Sequence, residues 1–440
     1  MGGPELVDDD VALAHEPLVT LLVSDLEPNT TYWVSNSGIV RRAGDAQAYR
    51  LLRFKRLING TYVRTLRAPT GPMLCSFATV NDVHFGDTKL GAFSLPFLGR
   101  SVLLRRRDDE EPFPVMASRV ALEEMQQLRN GQGPEVIIVK GDLTAEGTLR
   151  EYEQFRQVYD EAVGDRLLDV RGNHDSRSLR IGADQPFGAT HVQHRTVPGA
   201  EIVVLDTAVV DRMFGEVSEQ QLRELETIAQ STSQPVLVFG HHPVGHVVAK
   251  RWNEPTTFRL VYEPDSVGER VFHQLIERYF DTREKRILSP RFLRATYHVP
   301  VRVFDKKVLK PYFAISPTSS QALLEVIERN PQIVGYFAGH THRNRHRLIG
   351  DVDTFPTSQD VKCVPLVEVA SPNEFPGAWA EYRVYSDGIM QIGHRLRDPE
   401  AHMWMERSRW TQKGFMQVFA QRDVRESCFW IETRSTQRDL

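Results

Sequence analysis

The chain has 440 residues, 41% hydrophobic and 25% charged, with 54 Lys and Arg against 58 Asp and Glu for a formal net charge of −4. That balance is ordinary for a globular chain and excludes long disorder or a fibrous repeat. The slight acidity leaves no electrostatic case for a nucleic-acid scaffold. No apolar run approaches the ~20 residues that span a bilayer, and three scattered cysteines, Cys75, Cys363 and Cys428, make neither a disulfide framework nor a CxxC metal site.

In chain order, residues 1–70 read as a small β-rich unit. Val19–Val23, Thr31–Val34 and Tyr62–Leu66 are short β-type runs, and Asn59-Gly60 is a hairpin signal. Leu26-Glu27-Pro28-Asn29-Thr30-Thr31-Tyr32, with Arg64-Thr65-Leu66 later, resembles the second half of a fibronectin type III domain over about 50 residues. Asp8-Asp9-Asp10 stands where a secretory leader needs positive charge. The expectation is therefore a cytoplasmic chain, an upstream start with a signal sequence being the alternative.

Residues 71–400 alternate apolar runs with amphipathic stretches. Leu74–Val80, Val136–Val139, Leu167–Val170, Ile202–Leu205, Val236–Phe239 and Ile333–Ala338 read as buried strands. Val120, Met125 and Leu128, then Leu149, Tyr152, Phe155 and Tyr159, recur at helical spacing, and Ser218 with Gln221 predicts a capping box. Such alternation predicts an α/β fold with its ligand site beyond the carboxyl ends of the strands. Insertions at about 86–115 and 245–316 interrupt it. The second carries Lys250, Arg251, Arg291 and Arg294 among aromatics, which suits a cationic lid and a structural excursion about equally. Residues 401–440 read as a helical tail packed on the core through Met403, Trp404, Trp410 and Phe415.

The residues after each strand carry the chemistry. They are Asp82-Val83-His84, Gly141-Asp142, Gly172-Asn173-His174-Asp175, Gly240-His241-His242-Pro243 and Gly339-His340-Thr341-His342. Five strand ends thus deliver carboxylate, carboxamide and imidazole groups, a hard-to-borderline N/O donor set with no thiolate, suited to Mn, Fe or Zn. The neighbouring glycines allow tight turns and close approach. Taken singly, each block has a duller explanation: a surface turn at Asp82, a turn or helix cap at Asp142, a turn at Asn173, a satisfied loop histidine at His241. Five in succession, each after a strand, do not.

The order D-x-H, G-D, G-N-H-D, H-x-P, G-H-x-H resembles the calcineurin-like metallophosphoesterase family over about residues 73–398. The resemblance implies a four-layer α/β/β/α metallophosphoesterase sandwich, to which the small N-terminal β unit read above is added, and a dinuclear centre of two divalent or trivalent ions. It implies that Asp82, His84, Asp142 and His342 hold one ion and Asp142, Asn173, His241 and His340 the other, with Asp142 bridging. Two such cations roughly 3.5–4 Å apart would clamp phosphoryl oxygens and turn a bridging water into the attacking hydroxide. His174 would then stabilise or protonate the leaving group, with Asp175 orienting His174 or a ligand. His242 is left as a pocket or structural residue, and His191, His194, His246, His346, His394 and His402 match no block.

Ala145 stands where purple acid phosphatases carry a tyrosine ligand, and Asp175 where they carry Glu, which disfavours an iron–tyrosinate site. Gly141-Asp142-Leu143-Thr144 with Gly147 and Glu151-Tyr152, and Phe214-Gly215-Glu216-Val217 with Gln221-Leu222, look like the cyclic-nucleotide and glycerophosphodiester phosphodiesterase branch. The expected substrate is accordingly a small phosphodiester or nucleotide. Phosphomonoester, pyrophosphate or phospholipid-headgroup hydrolysis are the alternatives, and a metal-free protein-binding scaffold is a remote one. Oligomeric state is left open.

Overall fold

The computed structural model describes residues 26–35, 40–42, 60–90, 104–107, 109–177, 192–244, 314–349, 364–408, 427–431 and 433. Near the N-terminus, β1 (Thr31–Ser35), β2 (Val40–Arg42) and β3 (Gly60–Arg64) form an antiparallel sheet of order β2-β1-β3. Gly60 opens β3 opposite Ser35, so it lies in a strand and not in the turn that Asn59-Gly60 suggests. The run Val19–Val23 lies outside the described residues. Arg67 and Thr70 then bond the carboxylate of Asp387, fastening the following segment to the rest of the chain.

The apolar runs become strands. They are β4 (Met73–Val80), β5 (Ile137–Lys140), β6 (Leu167–Val170), β7 (Val192–Val197), β8 (Ala200–Leu205), β9 (Val236–Gly240) and β10 (Ile333–Ala338). Five more follow: β11 (Arg345–Leu348), β12 (Pro365–Glu368), β13 (Ala378–Tyr385), β14 (Gly388–Arg395) and β15 (Phe429–Ile431). They build two six-stranded mixed sheets, ordered β15-β14-β13-β4-β5-β6 and β11-β12-β10-β9-β8-β7. The helices are α1 (Phe113–Gln126), α2 (Leu149–Val163), α3 (Glu219–Ser231), α4 (Pro317–Arg329) and α5 (Pro399–Ser408).

Successive side chains of a strand point to opposite faces, and both faces here are covered. Phe77, Ile138, Ile202, Val204, Leu237 and Phe239 meet between the sheets. On the outer side of the first sheet, Ala78, Val80, Ile137 and Val139 pack under residues of α1, α2 and α5. On the outer side of the second, Val203, Leu205, Val236 and Val238 pack under α3 and α4. Three apolar layers between four structural ones make the α/β/β/α sandwich. Thr148 and Ser218 each close a capping box, with Glu151 and Gln221, and α3 starts where Ser218 and Gln221 predict it.

Helix α1 opens at Phe113, so the first insertion ends before the expected 115, and Leu90 bridges Leu104 across its described part. Of the second insertion only its end is described. There Ile315 pairs with Gly215, and Ser316 caps α4, a helix the sequence reading did not anticipate. Residues 245–313, with Lys250, Arg251, Arg291 and Arg294, lie outside the described residues, as do Trp410 and Phe415. The described part of the tail helix packs Trp404 flat on Phe113 and leaves Met403 exposed.

Candidate metal centre

The carboxyl ends of β4, β5, β6, β9 and β10 meet at one edge of the sandwich. The loops after β4 and β5 are zipped together: Asp82 N donates to Gly141 O, His84 N to Asp142 O and Phe85 N to Leu143 O, each at 2.9 Å. Gly339 N donates to His241 O at 2.9 Å, tying the ends of β9 and β10 in the same way. Asp82, His84, Asp142, His340 and His342 all adopt left-handed backbone, with φ from 44° to 67°. Such strain costs about 1–3 kcal/mol per residue and survives where surrounding structure over-determines it, characteristically at functional sites. The expected glycine effect holds at Gly141, where φ is 85° and a Cβ would come within 2.5 Å of His241 Nδ1.

Two groups of donor atoms converge there. His84 Nε2 and His342 Nε2 lie 3.3 Å apart, His342 Nε2 is 3.5 Å from Asp82 Oδ1, and His84 Nε2 is 3.8 Å from Asp142 Oδ2. Beside them, His241 Nε2 is 3.1 Å from both Asn173 Oδ1 and His340 Nδ1, and 3.4 Å from Asp142 Oδ1. Asp142 faces both groups with different oxygens. Asp82, Asp142, His84, His241, His340 and Asn173 are all buried. Bare imidazole nitrogens crowded onto buried carboxylates are a poor arrangement for hydrogen bonding and a good one for cations. Among the described residues four sets lie close enough to hold a metal ion: Asp82, His84 and His342; Asp82, Asp142 and His241; His84, Asp142 and His174; and His241, His242 and His340. His174 and His242, which the motif pattern leaves out of the ligand set, thus stand at the same positions.

The electrostatics divide the donors. Burial, then the charge of Asp82, pushes the Asp142 carboxyl well above its ordinary value. Burial pulls the same way on Asp82, yet the charge and hydrogen bond of His342 prevail and hold it below the usual range. Burial, reinforced by the charge of His342, takes His84 down to about 3, and burial keeps His241 and His340 low as well. Neutral imidazole is the form that binds metal. His342 runs opposite: burial works against its proton, but Asp82 and Glu374 hold it well above the ordinary value.

His174 lies against His84, the ring centroids 4.6 Å apart. Its Nδ1 donates to the Ala145 carbonyl at 2.7 Å, which leaves Nε2 as the bare nitrogen. Burial and then the nearby Arg177 guanidinium keep the ring neutral. Asp175, expected to orient His174 or a ligand, makes its bonds to the loops that carry Asp142 and Asn173. Its carboxylate accepts from the backbone N–H of Gly172, Leu143 and Thr144 and from Thr144 Oγ1, at 2.5–3.0 Å. With those acceptor sites filled, it fastens the loop of Asp142 to the loop of Asn173. Burial and the charge of Asp142 push this carboxyl up to about 7 against those four donors.

His242 bonds Thr207 Oγ1 through Nδ1 at 2.9 Å and packs beside His340. Of the histidines outside the blocks, His194 pairs with Glu201, His346 stacks on Phe429 and His394 stacks on Trp379. His191 and His246 lie outside the described residues. No helix among the described residues is long and apolar enough to cross a membrane.

The model of the family described as calcineurin-like phosphoesterase matches residues 76–344. The chain belongs to the calcineurin-like phosphoesterase family. Among curated proteins, a Synechococcus protein named a probable cyclic nucleotide phosphodiesterase is 30% identical over 114 residues, which is 26% of this chain and 44% of that one. An Arcobacter nitrofigilis protein named a probable glycerophosphodiester phosphodiesterase is 29% identical over 121 residues, covering 25% of this chain and 42% of that one. The chain therefore spans less than half the length of either relative. Among solved structures, a dimetal phosphatase from Danio rerio aligns with a TM-score of 0.45 at 13% identity, over 73% of this chain and 96% of that one.

Sequence reasoning missed a sixth strand end at the same edge. After β12, Ser371 Oγ donates to Asp82 O at 2.8 Å, Asn373 Nδ2 to Val83 O at 2.6 Å, and Glu374 Oε1 lies 2.6 Å from His342 Nδ1. Lys140, too, went unnoticed. It continues the inward alternation of β5, and its Nζ reaches across to Ala338 O at 2.9 Å. The signal for the first was the polar string Ser371-Pro372-Asn373-Glu374 behind a short apolar run.

Proposed function

We propose that this chain hydrolyses phosphoester bonds with two metal ions, one held by Asp82, His84, Asp142 and His342 and the other by Asp142, Asn173, His241 and His340. The observation that carries the reading is the approach of His84 Nε2 to His342 Nε2 at 3.3 Å and of His241 Nε2 to His340 Nδ1 at 3.1 Å, with Asp142 facing both pairs. Imidazole nitrogens paired in this way beside the carboxylates of Asp82 and Asp142 make a donor set suited to two cations. Mn, Fe and Zn all suit the donor set.

When bound, the ions supply Lewis acidity toward the phosphoryl oxygens and a nucleophilic water near neutral pH. The protein supplies position. The zipped loops fix Asp82 and Asp142, Asp175 locks the Asn173 loop onto them, and the Lys140 carbonyl fixes the His241 ring by accepting from its Nδ1 at 2.9 Å. His174 presents a bare Nε2. A phosphate anion arriving beside it raises its proton affinity, after which the imidazolium can stabilise and protonate the departing oxygen. A small phosphodiester is the substrate class favoured by the names of the relatives and by the Gly141–Thr144 and Phe214–Val217 strings.

The test is Mn-supplemented hydrolysis of bis-p-nitrophenyl phosphate against p-nitrophenyl phosphate, with Asn173→Ala as blank. Faster diester cleavage that falls by orders of magnitude in the variant is expected. Preference for the monoester would move the substrate class, and no hydrolysis of either by metal-loaded protein would count against a general phosphodiesterase.

A further inference from the structure

Glu374 belongs to no motif block, yet it makes one of the shortest contacts at the site. Its Oε1 lies 2.6 Å from His342 Nδ1, with the carboxylate 15% exposed. A carboxylate accepting from Nδ1 keeps the proton on that nitrogen when the ring is neutral and aims Nε2 inward, toward Asp82 Oδ1 at 3.5 Å and His84 Nε2 at 3.3 Å. It also makes that nitrogen more basic, and so a better donor to a cation.

The same loop grips the other side of that position. Ser371 Oγ and Asn373 Nδ2 donate to the carbonyls of Asp82 and Val83, within the left-handed turn that aims Asp82 and His84. The loop is braced from behind. Trp404 Nε1 of α5 donates to Asn373 O at 2.9 Å, and Phe375 N donates to Ser408 Oγ at 2.8 Å. The second metal position is supported differently: His241 leans on the backbone carbonyl of Lys140 rather than on a side-chain carboxylate.

We infer that the Ser371–Glu374 loop is a dedicated support for the metal position formed by Asp82, His84, Asp142 and His342, with Glu374 the positioning residue that sets His342. The inference rests on the two-ion reading above. Loss of Glu374 weakens one ion and spares the other, because Glu374 touches a ligand of one position and none of the other.

The experiment is a titration of metal-free full-length protein with Mn²⁺, following free Mn²⁺ by electron paramagnetic resonance, for wild type, Glu374→Ala and Glu374→Gln. Glu374→Ala is expected to lower affinity about 10–100-fold at one of two sites. Glu374→Gln, which still accepts from Nδ1 but carries no charge, falls between it and wild type. The other site and the melting temperature of the metal-free protein stay unchanged. Wild-type affinity at both sites in Glu374→Ala would overturn the inference. So would a loss of metal-free melting temperature that tracks the loss of affinity, since that marks a merely structural role. Failure of wild type itself to bind Mn²⁺ would instead overturn the two-ion reading.

Discussion

Between the sheets, Phe77 lies flat on Tyr382 with ring centroids 4.8 Å apart and meets Phe239 edge-on at 5.9 Å. Five residues beyond Phe77 along the chain, Asp82 begins a stretch of left-handed backbone, buried carboxylate and converging imidazoles. Among the described residues the interior follows ordinary rules: period-two alternation and aromatic rings packed stacked or edge-on. The edge breaks them within two turns of chain. A rigid interior is what lets a strained edge persist, because the strand ends are held on both sides before the loops begin.

That contrast yields a graded set of predictions. At the edge, His174→Ala should lower kcat by about 10²–10⁴ while leaving metal content intact, measured by steady-state kinetics beside elemental analysis. A normal rate would remove His174 from the chemistry. In the interior, Phe77→Ala should destabilise the fold by about 3–5 kcal/mol in urea unfolding, while the folded fraction keeps its metal.

A smaller effect tests a charge placed far from the edge. Glu381 is buried, and although burial raises its pKa, hydrogen bonds from His394 and Arg383 prevail and hold it below the usual 4.5. A depressed carboxyl contributes stability above its unfolded value and loses it as pH falls through the folded one. Glu381→Gln should thus lower the melting temperature at pH 7, by the loss of a charged hydrogen-bond network worth ~1.5–3 kcal/mol, and narrow the gap from wild type below about pH 4.5. The smallest change is Thr148→Ala, which removes the α2 capping box and should cost about 1 kcal/mol with no change in metal content.

The parts of this architecture that were legible in the sequence are those encoded locally. Phe77 to Val80 followed by Asp82 and His84 announces both a strand and its functional end, and Ser218 with Gln221 announces a helix start. Glu374 was not legible, because its partner His342 lies 32 residues earlier and β12, which brings it there, is a four-residue strand placed by parallel pairing with β10. Asp175 sat in a recognised block, yet three of its four bonds run to Leu143 and Thr144 of another loop, which no spacing reveals. The β13–β14 hairpin, with Tyr385 opposite Gly388, escaped an eye tuned to α/β alternation, although it joins β4 to complete the first sheet.

The most direct measurement is the metal content of purified, Mn-supplemented wild type beside Asp142→Ala, the variant lacking the residue that faces both groups of donors. About two ions per chain are expected for wild type, with a loss at both positions in the variant. Near-zero occupancy in wild type, or an unchanged count in Asp142→Ala, would contradict the dinuclear centre.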